Sequence, residues 1–176
     1  AWKHSWEAMS PADRAIVTRE MKAFVMGLDP REAVLLTGGT RFGVEGVVGR
    51  AAVERGLVVV AAIVRATAPD ALERGTFTHA CFVGDTLYDK AAGLYELVHE
   101  HDGSCIFVSG GQIVSDEIQT AKNLGIPYVA MTEIGANGAH ARERPAAAFH
   151  TGAEAAYFIA ARESRGAPHW FVGPNP

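Results

Sequence analysis

The chain has 176 residues, 48% hydrophobic and 20% charged, the composition of one globular domain long enough to bury a real core. Its formal net charge of -4 and pI near 6.0 disfavour a broad nucleic-acid surface, which needs clustered Lys and Arg. The longest apolar run, Leu57 to Val64, is strand-sized and far short of the ~20 residues of a membrane helix.

Ser10-Pro11-Ala12-Asp13 reads as a helix start: a capping hydroxyl, Pro in the first turn and an acid near the dipole's positive end. Val17, Met21, Phe24, Val25 and Leu28 then fall at helical spacing, and Gly27 with Pro30 ends the segment. A strand is expected at Ala33–Thr37, then a Gly-Gly turn and a helix from about Val44 to Arg55, closed by Gly56. Leu57–Val64 is continuously apolar, the mark of a strand covered on both faces. Arg65 to Thr78 shows no period and reads as loop with at most a short helical turn, and His79–Val83 as a further strand. Helical spacing returns at Leu87, Ala91, Leu94, Tyr95 and Val98, followed by a strand at Ser104–Val108. After a second Gly-Gly turn, Val114, Ile118, Ala121 and Leu124 make one helical stripe, separated by Gly125 and Pro127 from a strand at Tyr128–Met131. A last helix is expected from Thr151, where Thr151 and Glu154 form a capping box and Ala155, Phe158, Ile159 and Arg162 follow.

Strands alternating with helices predict parallel β-α-β units and an α/β three-layer sandwich of Rossmann-like form with a mostly parallel central sheet. Residues 1–165 read as one domain. Gly166 to Pro176, with three prolines and two glycines, reads as a tail or linker. The opening helix has no strand before it, so either a first strand is absent with a missing N-terminal segment or the sheet begins at Ala33. A chain starting at Ala1 rather than Met fits a processed or excised piece. Cys81 and Cys105, the two cysteines, sit in apolar runs and read as reduced core thiols of a cytoplasmic protein, with a disulfide between neighbouring strands the less favoured alternative. Trp2, Trp6 and Trp170 lie in the flanking segments, suited to surface docking or to a partner chain.

The two Gly-Gly turns carry the chemistry. Val34-Leu35-Leu36-Thr37-Gly38-Gly39 and Ile106-Phe107-Val108-Ser109-Gly110-Gly111 each end an apolar strand in a hydroxyl residue and two glycines before a helix. Such a turn leaves backbone N–H groups at the positive end of a helix dipole, a geometry that holds anions and above all phosphate. Ligands of such sheets bind at the carboxyl ends of the strands. In the first turn Thr37, Gly38, Gly39, Thr40 and Gly43 offer close backbone approach and hydroxyl donors, and Arg41 can pair with a phosphate bidentately. The segment is neither a Walker loop nor a GxGxxG fingerprint. In the second, Ser109, Gly110, Gly111, Gln112 and Ile113 would line the anion, and Glu117, next to the stripe residue Ile118, is placed to face the cleft, accepting ribose hydroxyls or acting as a base. Asp85 can bind ribose and Lys90 a phosphate, with Thr86 between them at a helix start; a plain cap with a solvated lysine explains the same residues. Thr132 to Gly138 can close the pocket or simply turn. His99, His101 and Asp102 resemble metal ligands, but no second cluster supports them, and no metal or other cofactor is expected.

The pair of turns resembles the SLOG superfamily, which includes the LOG "lysine decarboxylase-like" nucleotide hydrolases and the nucleotide-sensing domains of melastatin-type TRP channels. The LOG pattern Gly-Gly-Gly with a downstream Gly-Leu-Met-Gly is similar to Gly38 through Gly46, and its Pro-Gly-Gly-x-Gly-Thr-x-x-Glu to Ser109 through Glu117. The likeness spans about Ala33 to Met131. It places the family's catalytic Glu on Glu117, whereas the family's phosphate-holding Gly-Thr is replaced by Ile113-Val114, and its Arg-Lys pair finds only Lys90, out of register. Phe77 through Thr86 is similar to the channel-type domains. The resemblance implies a phosphorylated nucleotide ligand such as ADP-ribose or another NAD-derived molecule, and a homo-oligomer or a larger chain as context. The alternative it implies is an N-glycosidase that releases the base from a nucleoside monophosphate with Glu117 as acid/base.

Overall fold

The computed structural model describes residues 6–108, 112–131, 147–149, 151–163 and 169–172. In chain order these form α1 (Pro11–Met26), β1 (Ala33–Thr37), α2 (Gly43–Arg55), β2 (Val58–Val64), β3 (His79–Gly84), α3 (Leu87–Glu100), β4 (Ser104–Val108), α4 (Gln112–Asn123), β5 (Tyr128–Met131), β6 (Ala147–Phe149), α5 (Gly152–Glu163) and β7 (His169–Val172), with a short 3-10 turn at Pro69–Ala71. Local signals set most of these limits. The Ser10 hydroxyl accepts the Asp13 N–H at 3.1 Å and starts α1. Gly56 takes the left-handed conformation that ends α2. Thr86 and Asp89 cap α3 reciprocally, and Thr151 and Glu154 do the same at the start of α5.

The seven strands make one sheet in the order β3-β2-β1-β7-β4-β5-β6, and every neighbouring pair is parallel. The chain is therefore α/β with a parallel sheet. Alternate strand residues go to opposite faces, and here they divide between two cores. Leu35, Val59, Ile106, Val108, Val129 and Met131 pack with buried residues of α1, α2 and α5. Leu36, Ala62, Cys105, Phe107 and Tyr128 pack with those of α3 and α4, where the Phe107 and Tyr128 rings meet edge-on at 5.6 Å. Each fully buried Leu, Ile or Phe contributes about 1.5–3 kcal/mol by leaving water. Among the described residues no helix is long and apolar enough to cross a membrane.

Two elements differ from the sequence expectation. The segment after Gly166, expected as a tail or linker, supplies β7, which pairs with β1 through Val34↔Trp170 and Leu35↔Phe171 and with β4 through Ser104↔Phe171 and Cys105↔Val172. In the sequence, Pro168 and Gly173 bound a four-residue aromatic and β-branched run rather than mark a linker. β1 is accordingly an interior strand, and the place beside it is filled from the far end of the sequence. Trp170, expected at a docking surface, belongs to this central strand, while Trp6 packs half-buried against the α1 side of the core. β6, only Ala-Ala-Phe, carries no strand signal and adds an edge beside β5.

The α1–α5 contact is pinned by one carboxylate. Glu20, 6% exposed, accepts the Gly152 N–H at the start of α5 at 2.9 Å and the Arg19 guanidinium at 2.7 Å. A side chain at Gly152 would run into the Glu20 backbone oxygen, so glycine is what lets the two helices approach this closely. The Gly152 amide, opposed by burial and aided by Arg19, holds the Glu20 carboxyl below its ordinary range. A lowered folded value means the stabilisation is present above the ordinary carboxylate range and is lost as pH falls through the folded value. Glu20→Gln is expected to cost about 1–2 kcal/mol at neutral pH. In urea unfolding, the gap from wild type should shrink as pH falls below about 5; a gap independent of pH would contradict the charge-assisted bond. A second test addresses β7: a chain ending at residue 165 should lose its cooperative thermal transition, since removal of a mere tail would leave Tm unchanged.

Candidate functional site

Because the sheet is parallel, the carboxyl ends of β1 and β4 lie at the same rim. They are separated by β7 alone, two strand spacings or about 10 Å apart. The helices that follow leave in opposite directions. Residues of α2 pack in one core and residues of α4 in the other. Open α/β sheets form ligand crevices outside the carboxyl ends of their strands, where strand-helix units diverge to opposite faces. Thr37 through Gly43 lie on the β1 side of this point. Ser109, Gly110 and Gly111 fall outside the described residues, as does the expected pocket-closing segment Thr132 to Gly138.

The first turn is braced from within. Gly39 and Gly43 both have positive φ, 72° and 61°, and a Cβ at Gly39 would press on Ala61, so glycine is required there both by conformation and by space. The Gly38 N–H donates to Glu45 Oε1 at 2.9 Å, and the Gly39 N–H to Thr37 Oγ1 at 3.1 Å. Thr40 Oγ1 donates to Glu45 Oε2 at 3.0 Å. The loop between β2 and β3 closes over the outside: the Arg41 N–H donates to the Ala71 carbonyl at 2.9 Å, and Thr76 Oγ1 reaches the Gly39 carbonyl at 3.1 Å. The expectation of bare amides at Gly38 and Gly39 is therefore corrected, because the carboxyl of Glu45, 3% exposed, and the Thr37 hydroxyl already accept from them. Arg41 is exposed and its guanidinium lies 4.6 Å over the Phe42 ring, while Phe42 gives α2 no side-chain cap.

Glu117 is 4% exposed and faces the protein interior rather than open water. Its neighbours are the fully buried Tyr95 of α3 and Cys105 of β4. Burial first, then the charge of Glu117, pushes the Tyr95 hydroxyl well above its ordinary range, and the same two causes push up the Cys105 thiol. Val114, at the position of the threonine in the resembled pattern, is 6% exposed and packs in the α3–α4 core, so its side chain takes no part in a phosphate grip. Of Gln112 and Ile113 the backbone alone is described, as the opening turn of α4.

The third group of expected residues is not brought to the crevice. Asp85 and Thr86 follow β3, the sheet's outer strand, two positions beyond β1 on the side away from β4. Asp85 pairs with Arg65 at 3.1 Å, both largely exposed, and Thr86 is the N-cap of α3. Lys90 lies in the first turns of the same helix. The plain structural explanation accounts for Asp85 and Thr86. Glu45 and Thr76 were not singled out by sequence reasoning, and Tyr95 and Cys105 were read there only as core residues. For Glu45 a signal existed, an acid in the first turn of a helix directly after a glycine turn; for Thr76 and Tyr95 none did.

Both cysteines are free. Cys105 is wholly buried, whereas Cys81 is half-buried on the outer strand β3, its thiol raised by burial alone among the raising causes. A thiol reagent at about pH 8 is expected to modify Cys81 slowly and Cys105 only after denaturation, as read by mass spectrometry. Equal labelling of the native protein would mean that the Glu117 region is open to solvent.

No protein-family model matches this chain, and no curated protein matches it.

Proposed function

We propose that this chain is a nucleotide-binding domain of the SLOG kind, a Rossmann-like three-layer sandwich that senses or carries a phosphorylated nucleotide such as ADP-ribose or another NAD-derived ligand. It acts as a homo-oligomer or within a larger protein. The observation that supports this reading is the divergence at one rim of a parallel sheet: β1 and β4 end there about 10 Å apart, each followed in the sequence by a Gly-Gly pair, with their helices departing to opposite faces. That span suits a sugar beyond one strand end and a phosphate beyond the other. Arg41, exposed at this rim, adds a cation for a phosphorylated ligand.

The burial of Glu117 favours binding over hydrolysis. A catalytic carboxylate must come within hydrogen-bond reach of its substrate, and this one packs beneath the rim with Tyr95 and Cys105. Loss of the Gly-Thr pair at Ile113-Val114 points the same way, because a binder tolerates a looser phosphate grip than a hydrolase does.

Calorimetry against ADP-ribose, cyclic ADP-ribose, NAD and AMP tests the proposal. Binding of at least one is expected, with affinity reduced about tenfold in Arg41→Ala, the loss of one charge-assisted contact. No heat across the panel would remove the reading. Chromatography of the same mixtures should show intact nucleotide; free base that disappears in Glu117→Gln would replace the binding reading with the N-glycosidase.

A further inference from the structure

The two outer strands of the sheet end it differently. β6 is three residues long, too short to offer much to another chain, whereas β3 runs for six, His79-Ala80-Cys81-Phe82-Val83-Gly84, without a lysine, a glutamate or a proline. Those are the residues that ordinarily keep a free edge from pairing with another chain. Among the described residues nothing pairs with the outer side of β3. The crossover from β2 to β3 carries no α-helix, only a loop with one 3-10 turn at Pro69–Ala71. Ala80 stands opposite Ala61 and Phe82 opposite Ile63, on the face where Val59 packs with α1, α2 and α5. Even so, Phe82 is 71% exposed and Ala80 is exposed beside it. Cys81 and Val83 turn the other way, against the α3–α4 core.

We propose that β3 is a dimer interface, pairing antiparallel with β3 of a second copy of this chain across a two-fold axis at Phe82. The backbone agrees with this register. The Thr78 N–H donates inward to the Val59 carbonyl at 2.9 Å, so by alternation along the ladder His79 and Cys81 turn their N–H and C=O groups outward. Val83 is skipped where the β2 pairing shifts between Ile63 and Val64, and with the axis at Phe82 it faces Cys81 of the second copy. An edge that meets its own copy must be self-complementary, and this one is. Phe82 meets Phe82, Ala80 meets Gly84, and His79 meets the carboxylate of Asp85. Thr78 Oγ1 lies 2.9 Å from His79 Nδ1, leaving Nε2 for Asp85 of the second copy. Asp85 is paired within its own chain only with Arg65, at 3.1 Å, both side chains largely exposed. Aromatic pairs directly opposite each other are among the stabilising cross-strand contacts, and here they cover the apolar surface that no helix covers. An edge contact lies at the small end of interfaces, so the dimer is a dissociable one. It gives the homo-oligomer of the functional reading a surface and stands whether or not the crevice binds a nucleotide.

Sedimentation velocity of the nucleotide-free chain, from about 1 to 200 µM, tests the proposal. The wild type should pass from monomer to dimer across this range. Phe82→Lys sets like charges against each other at the axis and should associate at least tenfold more weakly. Its thermal unfolding should match the wild type, because Phe82 is mostly exposed in the single chain. If the lysine variant does not fold, His79→Asp takes its place, setting an acid against Asp85 of the second copy. Crosslinking reads the axis: mild oxidation of Phe82→Cys should give a disulfide-linked dimer, because the two copies of position 82 lie directly opposite. The wild type, with Cys81 opposite Val83 of the second copy, should give none. A wild type that stays monomeric at the top of the range overturns the proposal. So does a folded Phe82→Lys that dimerises as well as the wild type, or wild-type crosslinking equal to that of Phe82→Cys. Silence toward nucleotides in calorimetry would sink the nucleotide reading alone and leave these results as informative as before.

Discussion

The backbone hydrogen bonds of β7 join two half-sheets that, among the described residues, have no other direct pairing. On one side lie β3, β2 and β1, and on the other β4, β5 and β6. Without the central strand, β1 and β4 would each present an unpaired edge in the middle of the molecule, where orphaned backbone groups cost about 1–3 kcal/mol apiece. β7 satisfies both edges with one short segment, held on its two sides by Val34, Leu35, Ser104 and Cys105. It also sets the geometry of the rim. The carboxyl ends of β1 and β4 stand apart by the width of this strand, and α2 and α4 leave them toward opposite faces.

Around the β1 turn, glycine and a buried acid solve one problem together. A strand that ends in glycines can turn sharply and lie close against Ala61, but the turn exposes amides that need acceptors. Glu45 provides one to the Gly38 amide from the next helix and Thr37 one to the Gly39 amide, and an acid in the first turn of α2 sits where the helix dipole favours it. Thr76 and the Arg41–Ala71 bond hold the turn from the loop side, and Arg50 bridges Glu73 to the Arg41 carbonyl at its outer edge. The turn is thus rigid before any ligand arrives. An anion-binding geometry read from sequence describes the backbone well; whether its donors stay open depends on the side chains that fold back on it.

The interior below the α3–α4 face is polar at an unexpected place. Tyr95, Cys105 and Glu117 come together where neighbouring core positions are aliphatic or aromatic. Burial acts against ionisation of the first two, and proximity to Glu117 adds to it. The cluster gives Glu117 an environment unlike that of a residue lining an open cleft. The resemblance in this region thus lies in the spacing from the glycines to the glutamate, while the setting of the carboxylate is the chain's own.

Local physics wrote most of the elements into the sequence. Helix limits followed from Ser10, Gly56, Thr86 and Thr151, and strands β1, β4 and β5 from unbroken apolar runs between punctuating residues, because caps and turns involve neighbours a few positions apart. The α/β class and the parallel sheet followed from the alternation. Hidden from that view was whatever depends on partners distant in the chain. β6 and β7 are too short to show a period, and β7 is a central strand solely because β1 and β4 leave a gap of its width. The closure of the first turn by Glu45, the removal of Asp85 and Thr86 to an outer edge, and the gathering of Tyr95, Cys105 and Glu117 were likewise decided by the tertiary structure. Spacing along one helix gives a side chain's direction, but the order of strands determines what it meets there.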